Sequence, residues 1–402
     1  MKHNTTFLPL LGHKIILGVT GSIASYKSAY LASALSKIGA EVFVVMTPSA
    51  TKFIGLETFE GLTHNPVISN LWDNKTKSNI DHVDIGLEAS CMVIAPATAN
   101  TIAKIAYGVA DNPVTAAALS SRANLLIAPA MDGEMYEKSS TKKNIEVLTN
   151  TGIHFVGPIH GRLASGITGN GRLAEIDEIV DNVRKIIGLS GDFKGKKVVV
   201  TAGGTREPID PVRYITNRSS GLMGHSIAEA ARDRGANVTL ITSSQILNVP
   251  FGMEVIKTST VESVRLNVLK NCANADLLVM AAAISDYRPT VISNEKIKKD
   301  KNQFILELKK IEDWLGEIKN SDLVKIVFAA ETSDTLKNAQ EKLSNKDAPF
   351  IVANNVLEKD SGFENYTNHV SFVWKDGKVE DLPTLPKFNV AHEILNRSIK
   401  LL

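Results

Sequence analysis

One pattern occurs twice along this chain of 402 residues and limits the folds open to it. An apolar segment starting at Lys14 leads into a helical stretch, a Gly-Ala-Glu turn and a second apolar segment ending at Thr47. The same order returns over residues 197–242, with a Gly-Ala-Asn turn. Short, unbroken apolar strands that alternate with helices are typical of parallel sheets buried on both faces. We therefore predict an α/β protein with two Rossmann-like, three-layer domains and mostly parallel sheets, over residues 1–190 and 191–402.

Composition and charge exclude several classes of protein. A net charge of +2 argues against a nucleic-acid-binding protein, and a hydrophobic fraction of 44% is ordinary for a globular one. Cys91 and Cys272 lack the Cys-x-x-Cys spacing, which argues against a disulfide scaffold or a zinc site and fits a reducing compartment. No apolar run is long enough to span a membrane, and the first residues do not resemble a signal peptide. We expect a cytoplasmic protein with no nucleic-acid or membrane partner.

The unusual polar segments of the chain all follow predicted strands. Ligands of parallel sheets bind beyond the carboxyl ends of the strands, so these segments are candidate binding loops. They are residues 20–22, 96–100 and 129–136 in the first half and residues 201–224, 281–286 and 329–332 in the second.

Residues 201–224 are the longest of these segments. A few residues usually suffice between a strand and a helix, and a longer connection at this place usually holds a ligand. Three arginines, Arg206, Arg213 and Arg218, indicate an anion, and glycines let a phosphate approach the backbone. The residues alone thus predict an anion-binding loop, followed by an amphipathic helix that starts near His225.

Four further segments have predicted structures. The glycine-rich residues 151–175 are expected to form a mobile flap rather than part of the core, and residues 188–195 a linker. Residues 370–377 are expected to form a hairpin, and a last amphipathic helix is expected to start near Asn389.

The first half contains Gly-Ser-Ile-Ala-Ser-Tyr-Lys at 21–27, Pro-Ala-Thr-Ala-Asn-Thr at 96–101 and Pro-Ala-Met-x-x-x-Met-Tyr at 129–136. On these motifs and His82, residues 14–180 resemble the flavin-binding cysteine decarboxylases, which act on 4′-phosphopantothenoylcysteine or a peptide C-terminal cysteine. The resemblance implies a flavodoxin-like flavoprotein domain and substrate contacts at Met131 and Met135. It also implies FMN contacts at Gly21, Ser22, Ile23, Thr47, Pro96, Ala97, Thr98, Ala99 and Asn100.

The resemblance further implies a catalytic role for three side chains. In that family FMN oxidises the substrate thiol, carbon dioxide leaves from the thioaldehyde, and the resulting enethiolate is reduced. His82 matches the active-site histidine, and an imidazole can take up a proton near neutral pH. Asp132 and Ser165 stand where the family often has asparagine and cysteine. A hydroxyl is a far weaker acid than a thiol, so we hypothesise that Ser165 relays the proton that the cysteine would donate.

The second half closely resembles phosphopantothenate–cysteine ligase, a CTP-dependent enzyme. The resemblance rests on Arg-Tyr-Ile-Thr-Asn at 213–217, Ala-Ala-Ile-Ser-Asp-Tyr at 282–287 and Phe-Ala-Ala-Glu-Thr at 328–332. It implies that Asn217 acts in the transfer of the acyl group from an acyl-cytidylate to cysteine. It also implies that Asp210 and Arg213 contact substrate. Mg²⁺ is expected to bind together with the nucleotide, and its protein ligands are not assigned. It implies CTP contacts at Met280, Ala281, Ala282, Asp286, Lys296, Phe328, Lys342 and Lys346. Residues 310–315, Lys-Ile-Glu-Asp-Trp-Leu, differ from the family's Lys-Asn-Pro-Asp-Ile-Leu.

Together the two resemblances cover nearly the whole chain and imply the bifunctional enzyme of coenzyme A biosynthesis. Members of that family build the flavin site across subunits of a trimer and pair their ligase domains, which implies a larger homo-oligomer.

Two alternatives compete with this interpretation. An NAD-dependent oxidoreductase is disfavoured, because Gly-x-Gly-x-x-Gly with a following acidic residue is missing. The other alternative is a working ligase fused to a catalytically impaired FMN-binding regulatory module, which the substitutions at Asp132 and Ser165 keep open.

Overall fold

The computed structural model describes residues 8–72, 81–245, 247–298, 304–331, 340, 343, 346–355, 362 and 365–402, with the side chains of 81–84, 331 and 355 left out. It divides into a first unit, residues 8–187, and a second unit, residues 188–402. Each unit is described by itself below.

The first unit is built on one parallel sheet of five strands. Its strands are β1 Lys14–Val19, β2 Glu41–Met46, β3 Cys91–Ala97, β4 Asn124–Pro129 and β5 His154–Phe155, with a separate hairpin of β6 Ile159–Arg162 and β7 Thr168–Arg172. Its helices are α1 Ser25–Lys37, α2 Leu56–Thr63, α3 Asp81–Glu88, α4 Ala99–Ala106, α5 Pro113–Ser120, α6 Gly133–Glu137, α7 Ser139–Asn150 and α8 Ile176–Gly188.

The strand order of this sheet, β2-β1-β3-β4-β5, determines where a ligand can bind. From β1 the chain first adds β2 on one side of the sheet. It then returns to the other side of β1, where it adds β3, β4 and β5 in order. Connections on the two sides of β1 and β3 therefore diverge and leave a crevice at the carboxyl ends of these strands. This order is that of flavodoxin-like folds, which bind FMN at this switch point.

Successive side chains of β1 point to opposite faces of the sheet, which shows why its sequence forms a central strand. Ile15, Leu17 and Val19 pack into one hydrophobic core, and Ile16 packs into another. All four side chains are fully buried, so both faces of the strand are covered. An unbroken apolar segment is what such a position requires, because burying one of these side chains contributes about 1.5–3 kcal/mol.

The second unit has an eight-stranded sheet in the order β12-β11-β8-β13-β16-β17-β19-β20. The pairs β17–β19 and β19–β20 are antiparallel, and the other neighbouring strands pair parallel. Its strands are β8 Lys197–Ala202, β9 Arg206–Pro208, β10 Tyr214–Thr216, β11 Asn237–Thr242, β12 Glu254–Lys257, β13 Leu277–Met280, β14 Tyr287–Pro289, β15 Leu308–Lys310, β16 Val324–Glu331, β17 Phe350–Asn355, β18 Thr367–Asn368, β19 Ser371–Trp374, β20 Val379–Asp381 and β21 Leu385–Pro386. Its helices include α9 Leu222–Arg232, α10 Val261–Cys272 and α11 Lys387–Ser398.

The predicted fold class is confirmed, since both units have mostly parallel sheets between helices. The hairpin expected at residues 370–377 is confirmed by the pairing of β19 with β20. Helix α9 begins at Leu222 rather than near His225, because Gly221 with φ of 84° ends the preceding loop. Helix α11 begins at Lys387 rather than near Asn389.

Two predictions about irregular segments were wrong in part. Residues 151–175 were expected to lie outside the core, but β5 pairs with β4 in the sheet and Leu173 and Ala174 are fully buried. The prediction gave the many glycines of this segment more weight than its two short apolar stretches. Residues 188–195 were expected to be a linker, but the ring of Phe193 is fully buried in the core of the second unit.

Two candidate active sites at the carboxyl ends of the sheets

The switch point of the first unit is held together by the hydroxyl group of Thr20. This buried residue follows β1, and its Oγ1 donates to the carbonyl oxygen of Pro96 at 2.7 Å. The same Oγ1 accepts from the backbone N–H of Thr98 at 3.1 Å. The segment after β1 and the segment after β3 are therefore fixed to each other, which brings Gly21 and Ser22 to the same sheet edge as residues 96–100.

The first turn of α1 lies at this edge with an uncapped N-terminus. The N-cap residue is Ala24, and no side chain caps the helix. The N–H groups of Ser25 and Lys27 donate to the oxygens of Ser22 and Ala24, so an anion would be attracted here mainly by the positive end of the helix dipole. Gly21 is required here for space, because a Cβ atom would lie 2.5 Å from the Cβ of Ser49. Thr47, at the end of β2, is buried beside it, and its N–H donates to the oxygen of Val19 at 3.0 Å.

A cavity of about 610 Å³ opens next to this edge and contains the two residues that differ from the family pattern. The hydroxyl of Ser165 donates to Oδ2 of Asp132 at 2.8 Å. Oδ1 of Asp132 caps α6 by accepting from the N–H of Glu134 at 3.0 Å. The carboxylate thus fixes the Ser165 hydroxyl and the start of α6 at once. Ser22, Ile23 and Met131 also line this cavity.

Of two other residues predicted for this site, one lies outside the cavity lining and the other has no described side chain. Met135 lies in α6, is 49% exposed and is not among the residues that line the cavity. His82 lies in α3, and its side chain is outside the part of the chain that the structure describes. The thiol of Cys91 is no substitute for a catalytic cysteine, because burial inside β3 raises its pKa to about 12.

In the second unit the long polar segment is a hairpin rather than a loop. Its two strands, β9 and β10, pair antiparallel with Arg206 opposite Thr216. The guanidinium of Arg206 stacks 5.0 Å from the ring centroid of Tyr214. Its turn is stabilised by Asp210, whose side chain is buried.

Asp210 is held ionised by the groups around it. Its Oδ1 accepts from the N–H groups of Val212 and Arg213, each at 2.8 Å. Its Oδ2 accepts from the Arg213 guanidinium at 3.1 Å and from the N–H of Ile297 at 3.2 Å. Burial opposes ionisation of Asp210, but these donors outweigh burial and lower its pKa below the usual value. Asp210 and Arg213 therefore fix the hairpin turn to the segment that carries Lys296.

The base of the hairpin meets the segment after β13. The N–H of Ala283 donates to the oxygen of Gly203 at 2.9 Å, and the N–H of Thr205 donates to the oxygen of Ala283 at 3.2 Å. Nδ2 of Asn217 donates to the oxygen of Ile284 at 2.9 Å. A Cβ atom on Gly204 would lie 2.5 Å from the oxygen of Asn217, so only glycine allows this approach.

A cavity of about 460 Å³ at this edge brings together most of the predicted ligase residues. The predicted residues in its lining comprise a backbone segment after a central strand, an amide, an aromatic ring, a carboxylate and a lysine. These residues are Asn217, Met280, Ala281, Ala282, Asp286, Phe328 and Lys346. Arg218 also lines the cavity, whereas Asp210, Arg213 and Lys296 are not among its lining residues. Lys342 lies outside the described residues.

A second cavity of about 540 Å³ shares Met280, Asp286 and Lys346 with the first. Nζ of Lys346 donates to Oδ2 of Asp313 at 2.6 Å. Partial burial of Asp313 raises its pKa, but the hydrogen bond from Lys346, the N–H of Leu315 and the charge of Lys346 together outweigh burial and lower the net pKa. Asp313 belongs to the segment 310–315 that differs from the family pattern, and Trp314 of that segment also lines this cavity.

Sequence reasoning missed Lys387 at the cavity of about 460 Å³. This first residue of α11 is 3% exposed, and burial lowers its pKa to about 8. Its Nζ donates to the oxygen of Gly362 at 2.9 Å. A lysine at the start of a terminal amphipathic helix looks like a surface residue, so nothing in the local pattern indicated this position.

No group of three or more His, Cys, Asp or Glu side chains suited to a metal ion occurs among the described residues. Within the same residues, every helix is too short or too polar to cross a membrane.

Comparison with known families matches each half to one family model. Residues 7–188 match the family model Flavoprotein, and residues 193–401 match the DNA/pantothenate metabolism flavoprotein C-terminal domain. Two solved structures are similar at the level of a single unit. The crystal structure of the C-terminal domain of a coenzyme A biosynthesis bifunctional protein CoaBC is 35% identical and covers 53% of this chain and 98% of that chain, with a TM-score of 0.45. A PPC decarboxylase mutant complexed with pantothenoylaminoethenethiol is 32% identical and covers 43% of this chain and 96% of that chain, with a TM-score of 0.39.

Curated relatives match over nearly the full length. The coenzyme A biosynthesis bifunctional protein CoaBC of Bacillus subtilis is 40% identical over 391 residues, which is 96% of this chain and 96% of the relative. The protein of the same name from Borreliella burgdorferi is 38% identical over 386 residues, 95% of this chain and 97% of the relative. These relatives favour the bifunctional interpretation over a ligase joined to an impaired flavin module. The chain therefore belongs to the family of bifunctional enzymes of coenzyme A biosynthesis, with a flavoprotein unit followed by a pantothenate-metabolism C-terminal unit.

Proposed function

We propose that the chain carries out two successive reactions. The second unit joins 4′-phosphopantothenate to cysteine with CTP through an acyl-cytidylate, and the first unit decarboxylates the product to 4′-phosphopantetheine with FMN. The observation that carries the proposal is the cavity in which Asn217 meets the backbone after β13, with Asp286, Phe328 and Lys346 in the same lining.

Activation of a carboxylate explains why such a cavity needs these groups. A carboxylate is a poor acylating agent until its oxygen becomes part of a good leaving group. Attack on the α-phosphate of CTP forms the acyl-cytidylate and releases pyrophosphate, and attack by cysteine then releases CMP. Lys346 neutralises phosphate charge, and the carbonyl oxygens of Ala281 and Ala282 can accept hydrogen bonds from the nucleotide. The N–H groups of these two alanines already donate to the oxygen of Val279 and to the Thr201 hydroxyl.

Asn217 is suited to the second of these steps. One hydrogen of its Nδ2 donates to the oxygen of Ile284, which fixes the orientation of the amide. Its other hydrogen remains to donate to the acyl oxygen, on which negative charge develops when cysteine attacks.

Mg²⁺ enters this proposal together with CTP. Mg²⁺ usually keeps several waters and is bound by one or two carboxylates plus the phosphates of its substrate. Asp286 is the carboxylate among the described residues lining the cavity, so the protein offers one ligand rather than a complete cage.

The switch point of the first unit fits FMN. The uncapped start of α1 suits a phosphate, and the small residues Ala97 and Ala99 leave room for a planar ring. FMN, when bound, supplies the oxidation of the substrate thiol and the later reduction of the product. The chain itself supplies proton transfer, for which we propose His82, and the Ser165 hydroxyl that Asp132 orients for a relay.

An assembly built from flavin-site trimers and ligase-domain dimers, within the cytoplasm, completes the proposal. Exposed apolar side chains on the first unit support subunit contacts, since Ile23 is 62%, Tyr30 67% and Tyr107 73% exposed. The free thiols of Cys91 and Cys272 support a reducing compartment.

The test is incubation of the FMN-loaded protein with phosphopantothenate, cysteine, CTP and Mg²⁺, followed by mass spectrometry. We expect CMP, the cysteine adduct and its decarboxylated product. Absence of CMP would refute the ligase assignment. Absence of carbon dioxide from added phosphopantothenoylcysteine would refute the decarboxylase assignment.

A further inference from the structure

Three basic side chains line the cavity of the first unit that contains Asp132 and Ser165. They are Lys27, Arg162 and Arg172, and they are called the basic trio below. Asp132 is the one carboxylate among the described residues that line this cavity. The lining therefore has an excess of positive charge.

Glu175, outside the lining, holds two members of the trio in place. It forms an ion pair with Arg172, and its Oε2 lies 3.9 Å from Nζ of Lys27. The side chain of Arg172 crosses the hairpin from β7 to β6, where a Cβ atom on Gly161 would lie 3.1 Å from Nη1. Gly161 thus leaves room for the guanidinium next to the strand that carries Arg162.

Arg162 has no ion pair with any residue that the structure describes. One carboxylate, Glu175, serves Lys27 and Arg172, so the positive charge of Arg162 is uncompensated. An arginine kept in this state at a cavity is suited to bind an anionic group of a ligand, because its planar guanidinium donates to two oxygen atoms at once.

The proposed substrate has two anionic groups, and the chemistry distinguishes them. The carboxylate of its cysteine must give up its charge as carbon dioxide leaves. An arginine bound to that carboxylate would stabilise the ground state more than the transition state and would slow the reaction. The 4′-phosphate does not react, so binding it increases affinity without this penalty.

We infer that the basic trio, with Arg162 as its main donor, binds the 4′-phosphate of the decarboxylase substrate. This inference rests on the proposed function of the first unit. It assigns to the hairpin of β6 and β7 the selection of phosphorylated over unphosphorylated substrate. A cavity of about 610 Å³ is within the range usual for a ligand of this size.

The experiment compares two substrates, 4′-phosphopantothenoylcysteine and pantothenoylcysteine, on the FMN-loaded protein and on Arg162→Gln. We expect Arg162→Gln to raise KM for the phosphorylated substrate about 10- to 100-fold, with kcat little changed. KM for the unphosphorylated substrate should stay the same. Lys143→Gln in α7 removes the same charge outside the cavity and should leave both KM values unaltered.

Binding of the products gives a readout that does not need turnover. Calorimetric titration with 4′-phosphopantetheine and pantetheine should show the same preference in the unsubstituted protein and its loss in Arg162→Gln. An equal loss for both compounds would overturn the inference, because Arg162 would then support the hairpin or contact another part of the substrate. Equal affinity of the unsubstituted protein for both would overturn it as well. Absence of turnover with a retained phosphate preference would instead refute the proposed decarboxylase activity alone.

Discussion

The amide of Asn217 makes one bond to the protein, to the oxygen of Ile284, and its second hydrogen is proposed to reach the acyl group. We predict that Asn217→Ala slows formation of the cysteine adduct about 100-fold, because one donor to the developing oxyanion is lost. The acyl-cytidylate should still form and accumulate. Mass spectrometry of quenched reactions, with pyrophosphate release measured in parallel, tests this.

Asn267→Ala is the matched control, since Asn267 lies in α10 and donates to Ser263 rather than lining the cavity. Its ligase rate should be unchanged. If Asn217→Ala lost pyrophosphate release to the same extent as adduct formation, Asn217 would act in the first step instead.

The second residue-scale prediction concerns Ser165. Its hydroxyl donates to Asp132 at 2.8 Å, so a relay has to pass through this bond. We expect Ser165→Ala to release carbon dioxide yet accumulate the unreduced enethiol. Ser165→Cys should lower the fraction of enethiol, because a thiol is the stronger acid. Full turnover by Ser165→Ala without any enethiol would remove Ser165 from the proton path.

His225 makes stability depend on pH. Its imidazole is 3% exposed in α9, and burial lowers its pKa from 6.5 to about 4. Between these values the unfolded chain binds a proton that the folded chain does not, so stability falls as the pH falls. The loss should be about 2 kcal/mol between pH 7 and pH 5.

Urea unfolding of the protein and of His225→Gln at both pH values measures this contribution. His225→Gln should lose less stability on acidification by that amount. Equal pH dependence in the two proteins would show that His225 has the same proton affinity in the folded and the unfolded chain.

At the scale of elements, the hairpin of β9 and β10 positions the ligase cavity. Gly204 lies at its base, where a Cβ atom would meet the oxygen of Asn217 at 2.5 Å. We predict that Gly204→Ala displaces Asn217 and lowers ligase turnover by up to about 100-fold, while the decarboxylase rate is unchanged. Gly316→Ala is the control, since nothing lies within 4 Å of its Cβ position. Normal ligase turnover in Gly204→Ala would show that the hairpin adjusts without cost.

Strands were the elements best predicted from sequence. The apolar segments from Lys14 and Lys197 became central strands because each is short, unbroken and followed by a helix. The connection over residues 201–224 was correctly identified as unusual, but its pairing into a hairpin depends on Asp210, whose donors include the distant Ile297. Contacts between segments far apart in sequence leave no local pattern.

Contacts between distant segments also explain why the sequence did not indicate Lys387 as a site residue and did not indicate that Ser165 and Asp132 contact each other. Lys387 reaches the ligase cavity from the far end of the chain. The bond between Ser165 and Asp132 joins two positions that had been considered separately. Segments 151–175 and 188–195 were misjudged because glycines outweighed their few apolar residues, although these residues are buried.

At the scale of the molecule, each unit has hydrophobic cores of its own. The cores of the first unit involve residues 10–187, and those of the second involve residues 193–402. We predict that residues 188–402 produced alone fold cooperatively and form the cysteine adduct at the rate of the full chain. Circular dichroism melting and the CMP assay test this. A broad or missing transition would show that the second unit needs the first.

Phe193 determines where the chain can be cut between the units. Its buried ring lies 4.8 Å from the Arg234 guanidinium, and its N–H donates to the oxygen of Arg234 at 2.9 Å. Leu189, four residues earlier, is 40% exposed. Of these two sites, limited chymotrypsin treatment should therefore cleave after Leu189 and spare Phe193, and a ligase fragment cut there keeps its buried aromatic ring. The end of the segment that joins the two units therefore belongs to the hydrophobic core of the second unit.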